Sequence, residues 1–435
     1  MAKAKIHKKY WIETYGCQMN SAESNALEAA LLESGMERAS TVQEADYAIL
    51  NTCSVRKTAE NRIWGRIGFF KHLKESQDLT LIITGCMAER VGDDFFKETP
   101  TVDYVWGTND KQRIAALLNG GSDERDSVYT FTQSYYRAGE VSSYVPIMNG
   151  CDNFCTYCIV PYVRGREVSR SVDSVLEEIA YLEDKGVKEV TLLGQNVNSY
   201  NTYHQGRRYN FPDLLSLISA NVKGIKWIRF ESPHPKDFSP ELIEVIANEK
   251  RIARHLHIPV QSGSTRILEA MNRHYTREQY LNLINRLREK ISDLTLSSDV
   301  MVGFPSESES EFQQTLSLIK EVAFLEAFMY YFNPREGTAA ATYSAQLPGS
   351  VKMRRLQELI DLQRSITKQY KQERCRGTVE VLVEQVSKRN AKELLGRTEH
   401  GEMVAFEPQN RVALGEFTTV TLNAVVGNTY KATHN

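Results

Sequence analysis

The 435-residue sequence lacks any apolar run long enough to cross a bilayer, and its opening MAKAKIHKKYW is basic with no apolar core behind the charges. These absences exclude a helical membrane protein and a secretory leader, so we expect a cytoplasmic protein. GxGxxG turns and Walker-type phosphate loops are missing, which removes the nucleotide chemistry they serve. The nine histidines show no H-E-x-x-H spacing, which removes the zinc hydrolases. A formal charge of −2 excludes a chain that is basic throughout, so any nucleic-acid contact must come from a local patch. Cysteine is scarce and odd in number. The seven stand at 17, 53, 86, 151, 155, 158 and 375, a pattern that argues against a disulfide framework and for metal or redox chemistry.

What is present suits buried cores, with 41% hydrophobic and 25% charged residues in a length that suggests two to four domains. From Trp11 to about Asp126 the short apolar runs WIETYG, YAILNTC, LTLIITGC and DYVWGT read as strands. SAESNALEAALLESG, SVRKTAENRIWGRIGFFKHLKES and AERVGDDFFKETP carry helical periodicity between them. That alternation predicts an open parallel sheet with helices on its faces. A polar stretch from Gly120 reads as a linker. Beyond it YVPIMNG, VKEVTLLG, IKWIRFES, HLHIPV, LTLSSDVMVGF and AFMYYFN are expected as strands, with helices from near Ser171, Pro212, Pro240, Ser264, Arg277 and Glu309. Six such units predict a partial (β/α)6 barrel, two units short of the closed eight-stranded form. A helix follows from Val351, and the short β-rich runs from Thr378 predict a small antiparallel barrel. The fold class is therefore α/β with three expected domains, 10–126, 140–370 and 373–435.

The stretch NGCDNFCTYCIVPYVRG holds Cys151, Cys155 and Cys158 at C-x3-C-x2-C spacing with no fourth ligand near; the next candidate is His204. Zinc ordinarily wants four protein ligands. Three thiolates on one loop suit a [4Fe-4S] cluster with one open iron, although half a zinc site or an incidental cluster of thiols is the alternative. Cys17, Cys53 and Cys86 each end a predicted strand, in TYGC, LNTC and ITGC. Ligands of parallel sheets gather at the carboxyl ends of strands, so these thiols could converge on a second cluster. Read singly, each could instead be a small buried apolar residue. Gly16 and Gly85 allow tight turns beside two of them. Cys375 reads as a spare thiol.

C-x3-C-x-aromatic-C, with Tyr157 as the aromatic residue, resembles the signature of the radical S-adenosylmethionine (SAM) superfamily, whose open iron takes the amino and carboxylate groups of SAM. Over about Tyr10 to Thr433 the chain resembles the methylthiotransferases, and TYGCQMN and NTCSVRKTAENR look like their MiaB branch. The resemblance implies methylthiolation of carbon 2 of isopentenyl-adenosine beside the anticodon of tRNA, with two SAM spent per turnover. It implies two [4Fe-4S] clusters, a SAM-binding one on Cys151, Cys155 and Cys158 and a sulfur-carrying one on Cys17, Cys53 and Cys86, placed across the substrate from each other. A TRAM-like RNA-binding module, an electron donor such as a flavodoxin, a sulfur source and a monomeric chain are also implied. Two alternatives stay open: the same chemistry on a ribosomal-protein aspartate or on threonylcarbamoyl-adenosine, and a cluster-holding RNA-binding protein without turnover.

SAM contacts are expected at the carboxyl ends of the barrel strands. Candidates besides Tyr157 are Gly194, Gln195 and Asn196, where the superfamily often has Gly-Gly-Glu, then Glu231 and Ser232 with His234 nearby, Gln261 and Ser262, and Asp299 near Gly303. Arg335 and Glu336 could share that mouth. Each position could also be an ordinary turn or cap. From Lys352 to Arg376 eight basic residues (352, 354, 355, 364, 368, 371, 374 and 376) face three acids (358, 361 and 373), a local +5 expected to meet tRNA phosphates.

Overall fold

The computed structural model describes residues 8–54, 57–118, 129–133 and 136–435, and it divides the chain into two compact units. The first takes in the chain to Tyr136 together with Met148–Asp152 and Cys158–Arg170; the second takes in Arg137–Ile147, Asn153–Tyr157 and Ser171–Asn435. Most of the expected linker, at 119–128 and 134–135, lies outside the described residues, as do Val55 and Arg56 of the second cysteine motif.

In the first unit five strands pair in parallel, in the order Glu37–Arg38, Lys9–Thr14, Tyr47–Thr52, Thr80–Gly85, Tyr104–Trp106. All six residues of Tyr47–Thr52 are buried, as a central strand covered on both faces requires. Leu50, Leu81, Ile63, Ile67 and Phe70 fill one face. Ile49, Ile82, Tyr10, Leu27 and Leu31 fill the other. Two features differ from the sequence reading. AERVGDDFFKETP forms two short helices, Cys86–Val91 and Asp94–Glu98, because Gly92 at φ +55° ends the first. A helix at Lys111–Leu118 was not foreseen; its eight residues are too few for a secure period.

The second unit holds six parallel strands. Ser142–Pro146, Glu189–Leu193 and Trp227–Phe230 form one three-stranded sheet, and His255–His257, Thr295–Val302 and Glu326–Tyr331 form another. A parallel bridge from Ile228 to Ile252 carries the first sheet toward the second, so the six strands follow chain order as a partial barrel. The surrounding helices begin where capping side chains stand. Ser171, Asn210, Ser239, Ser264, Thr276 and Ser308 each accept a backbone N–H from the first turn that follows. The hairpin Asn201–His204 with Arg207–Asn210 is an addition the pattern did not show. The long helix Gly349–Arg374 leads to five strands closed into a barrel around Val381, Val383, Val404, Phe406, Val420 and Tyr430. The barrel is not wholly antiparallel: Met403–Glu407 runs parallel to Thr429–His434. That seam arises because the final hairpin, Phe417–Val426 with Thr429–His434, folds back and places its last strand at the open edge.

Candidate active site

In the first unit Thr14 pairs with Asn51, Asn51 with Thr84, and Thr52 with Gly85, so three neighbouring strands end level. Cys17, Cys53 and Cys86 therefore leave the same edge of the sheet. Gly16 lies at φ +129°, and a Cβ there would stand 2.6 Å from the Cys53 Cβ and 3.0 Å from its Sγ. A Cβ on Gly85, at φ +94°, would meet the Thr52 carbonyl oxygen at 2.4 Å. The glycines thus let the loop before Cys17 and the turn before Cys86 press against the Cys53 segment. Cys53 and Cys86 are buried, Cys17 is exposed, and all seven cysteines are free thiols.

Beneath these thiols lies a polar network that sequence reasoning missed. Asn20 donates from Nδ2 to the Tyr15 and Thr52 carbonyls at 3.1 and 2.9 Å and accepts at Oδ1 from the Cys17 thiol at 3.5 Å. Asn51 donates to the Asn20 carbonyl and to Ser24 Oγ, both at 2.9 Å. Arg164, buried at the end of the helix Val160–Arg164, donates to both Glu23 carboxylate oxygens at 2.7 and 3.1 Å and to Asn149 Oδ1 at 3.0 Å. Burial opposes the Arg164 charge, but Cys86, Glu23 and Cys17 outweigh it and hold the guanidinium well above its ordinary range. Cys86 also packs against Ile159 and Val163. The only sequence signal for this floor was the arginine in PYVRG, six residues after Cys158.

The C-x3-C-x2-C loop is divided between the units. Cys151 and Cys158 belong to the first and Cys155 to the second. In the first, the Cys151 N–H donates to the Gly165 carbonyl at 3.2 Å, and a Cβ on Gly150 (φ +84°) would sit 2.0 Å from the Arg166 oxygen. In the second, Asn272 Nδ2 donates to the Asn153 and Phe154 carbonyls, each at 3.1 Å, and Thr156 bonds Met271 and Ala270. Tyr157 packs against Ile267, Met271, Phe304 and Phe332. Cys155 is buried and receives a hydrogen bond from Arg273. Among the described residues no three His, Cys, Asp or Glu side chains stand preassembled around a metal ion. The donor chemistry fits a cluster all the same: uncrosslinked thiols on glycine-relieved turns, with a buried guanidinium beside Cys17 and Cys86 and another beside Cys155.

At the strand ends of the second unit, Glu231 lies near His257 and Asp299. Burial pushes the Glu231 carboxyl up, reinforced by Asp299 against the pull of His257. Burial opposes a charge on His257, yet Asp299, 3.5 Å away, wins and raises its proton affinity. Asp299 lies within its strand, but that strand outruns His255–His257, so Asp299 comes level with Gln261, whose N–H donates to the Asp299 carbonyl at 2.9 Å. Ser232 and Gln261 adopt φ +61° and +67°, left-handed turns just beyond the strands. Two candidates have side chains engaged elsewhere. Asn196 donates to Asp237 at 3.0 Å, and the Ser262 hydroxyl lies 3.5 Å from that of Thr315. Gly194 and Gln195 follow Glu189–Leu193 directly.

The expected basic helix is much less available than its composition suggests. Lys352, Arg355 and Lys371 are buried; Arg355 binds Glu307 at 2.7 Å and Lys371 binds Asn428 at 2.8 Å. Arg354 pairs with Glu309 and Glu358, and Arg374 with Glu402. Arg364, Lys368 and Arg376 are exposed and have no ion-pair partner among the described residues. The local charge count overstates the available surface because three of its eight basic residues are turned inward.

Comparison with known proteins matches three separate segments of the chain. Residues 145–319 match the Radical SAM superfamily, residues 9–107 the Uncharacterized protein family UPF0004, and residues 373–433 the TRAM domain. In structure the chain is similar to the radical S-adenosylmethionine methyltransferase TsrM from Kitasatospora setae, with a TM-score of 0.59, 12% identity and 77% of each chain covered. It is thus a radical SAM protein with a barrel of the TRAM kind at its carboxyl end. It is 46% identical to the tRNA-2-methylthio-N(6)-dimethylallyladenosine synthase of Treponema denticola, over 98% of this chain and 100% of that one. The Bacteroides thetaiotaomicron protein of the same name is 43% identical over 99% of this chain and 97% of its own. The chain belongs to the MiaB family of radical SAM methylthiotransferases.

Proposed function

We propose that this chain transfers a methylthio group to carbon 2 of isopentenyl-adenosine next to the anticodon of tRNA. The near-full-length identity to synthases of that name carries the reading. Membership of the superfamily brings a [4Fe-4S] cluster and SAM; when bound, they supply the radical able to break an unactivated C–H bond. Cys151, Cys155 and Cys158 hold that cluster. Cys17, Cys53 and Cys86 hold a second [4Fe-4S] cluster that carries the sulfur, and two SAM are consumed per turnover. The level strand ends and the approach of Gly16 to Cys53 support the second site.

Tyr157, Gly194, Gln195, Asn196, Glu231, Ser232, Gln261, Ser262 and Asp299 bind SAM from the strand ends, Asn196 and Ser262 through main-chain atoms since their side chains are engaged elsewhere. Glu231 and Asp299 offer acceptors for the cofactor's amino or hydroxyl groups, and burial raises the Glu231 carboxyl above its ordinary value. Functionally the chain divides at 10–126, 140–370 and 373–435, the last gripping tRNA. A flavodoxin-like donor and an external sulfur source complete the system, acting on a cytoplasmic monomer; no described helix is long and apolar enough to cross a membrane.

The test is an anaerobic reaction of reconstituted protein with SAM, reductant and isopentenylated tRNA, read by nucleoside mass analysis. A methylthio gain with release of 5′-deoxyadenosine supports the reading. Deoxyadenosine without the gain sends the substrate to another modified adenosine or to a ribosomal-protein side chain.

A further inference from the structure

Arg273 is a buried cation without a carboxylate. The residue is 6% exposed, yet no Asp or Glu among the described residues lies within ion-pair distance. The equally buried Arg164, Arg229 and Arg355 contrast with it, since each rests on a glutamate at 2.7 Å. A charge removed from water ordinarily needs a counter-charge. Arg273 instead donates from Nε to Tyr275 Oη at 3.2 Å, from Nη2 to the Pro259 carbonyl at 3.1 Å, and from Nη1 to Cys155 Sγ at 3.5 Å. Of these acceptors only the sulfur readily becomes an anion.

The guanidinium is not needed as a strut for the cysteine loop. Asn272 already ties the Asn153 and Phe154 carbonyls, and Tyr275 independently bonds the Pro259 and Val260 carbonyls. The backbone on both sides of Arg273 is left-handed, with Asn272 at φ +60° and His274 at φ +57°. Two such departures flanking one side chain mark a position that the surroundings over-determine.

We infer that Arg273 is a positioning residue for the SAM-binding cluster, supplying through Cys155 a fixed positive charge and an N–H···S bond that favour its reduced state. The inference rests on the reading of Cys155 as a ligand of that cluster. Reduction brings in one electron from an external low-potential donor and so adds one negative charge beside Arg273. Hydrogen bonds to cluster sulfurs and local charge are recognised controls of such potentials.

The experiment is a dithionite titration of the full-length reconstituted protein against viologen mediators, following by electron paramagnetic resonance the reduced-cluster signal that responds to SAM. In Arg273→Gln the one-electron equilibrium is expected to move at least tenfold toward the oxidised cluster, ~59 mV. Arg273→Lys, which keeps the charge, should recover most of that shift. If Arg273→Gln fails to hold iron while Arg273→Lys holds it near the wild-type potential, the charge is again what matters. An unchanged potential in Arg273→Gln, or equal loss of iron in both variants, overturns the inference and leaves a packing role. Cys155→Ala separates the two layers of the argument: if the SAM-responsive signal survives in that variant, the ligand reading itself has failed.

Discussion

Gly16→Ala would test whether the three amino-terminal thiols act together. The alanine Cβ would stand 2.6 Å from the Cys53 Cβ, whereas ordinary contact begins near 3.4 Å, so the two segments must part by roughly 0.8 Å. An L side chain at φ +129° adds strain of about 1–3 kcal/mol. A bound constellation tolerates a misplacement of only about 0.5 Å. The variant should therefore fold while failing to hold the second cluster proposed on Cys17, Cys53 and Cys86, so that iron after reconstitution falls from about eight to about four per chain. SAM cleavage to 5′-deoxyadenosine should persist and the methylthio product should vanish, read by chromatography and nucleoside mass analysis of one reaction. Gly65→Ala is the control. Its helical position has nothing within 4 Å of the added carbon, so it should leave both activities intact and gain up to about 1 kcal/mol. Gly16→Ala with a full iron complement and normal product would refute the reasoning.

Glu23→Gln leaves Arg164 buried without its carboxylate and should cost about 3 kcal/mol, read as faster hydrogen exchange at the amides of Tyr47–Thr52. Glu23→Leu with Arg164→Met should recover most of that stability, and a double variant worse than the single would contradict the buried-pair argument. Glu311 is held down to about 2, chiefly by hydrogen bonds from Arg266, against 4.5 for the free group. A depressed carboxyl contributes stability that is complete above pH 4.5 and is lost as pH falls toward 2. Because Arg266 is half exposed, the loss should be about 1 kcal/mol, seen in urea midpoints and absent in Glu311→Gln. Arg364→Gln and Lys368→Gln should each weaken tRNA binding and flatten its salt dependence by about one unit of slope, whereas Arg355→Gln should chiefly destabilise the fold.

Periodicity and chain punctuation carried most of the architecture. YAILNT and LTLIITG could hardly be anything but buried strands, and the helices of the partial barrel start at Ser, Thr or Asn caps visible in the sequence. The cysteines were legible because their spacing is local. Arg273 was not, because its meaning lies in a contact with Cys155 across 118 residues and in the absence of a nearby acid. The floor formed by Asn20, Asn51 and Arg164 was hidden for the same reason. The basic helix shows the converse failure, since composition counts charges without saying which way they face.

The buried pair of Glu23 and Arg164 also sets an order of events during synthesis. A ribosome completes the five strands of the first sheet by Trp106, but the cation that neutralises Glu23 is encoded 141 positions after it. At about 5–20 residues per second the completed sheet waits roughly 3–12 seconds before Arg164 is added to pair with Glu23. During that interval Cys86 also lacks the wall made by Ile159 and Val163. The first unit therefore cannot mature until the C-x3-C-x2-C loop has left the exit tunnel, which couples the readiness of one set of thiols to the arrival of the other.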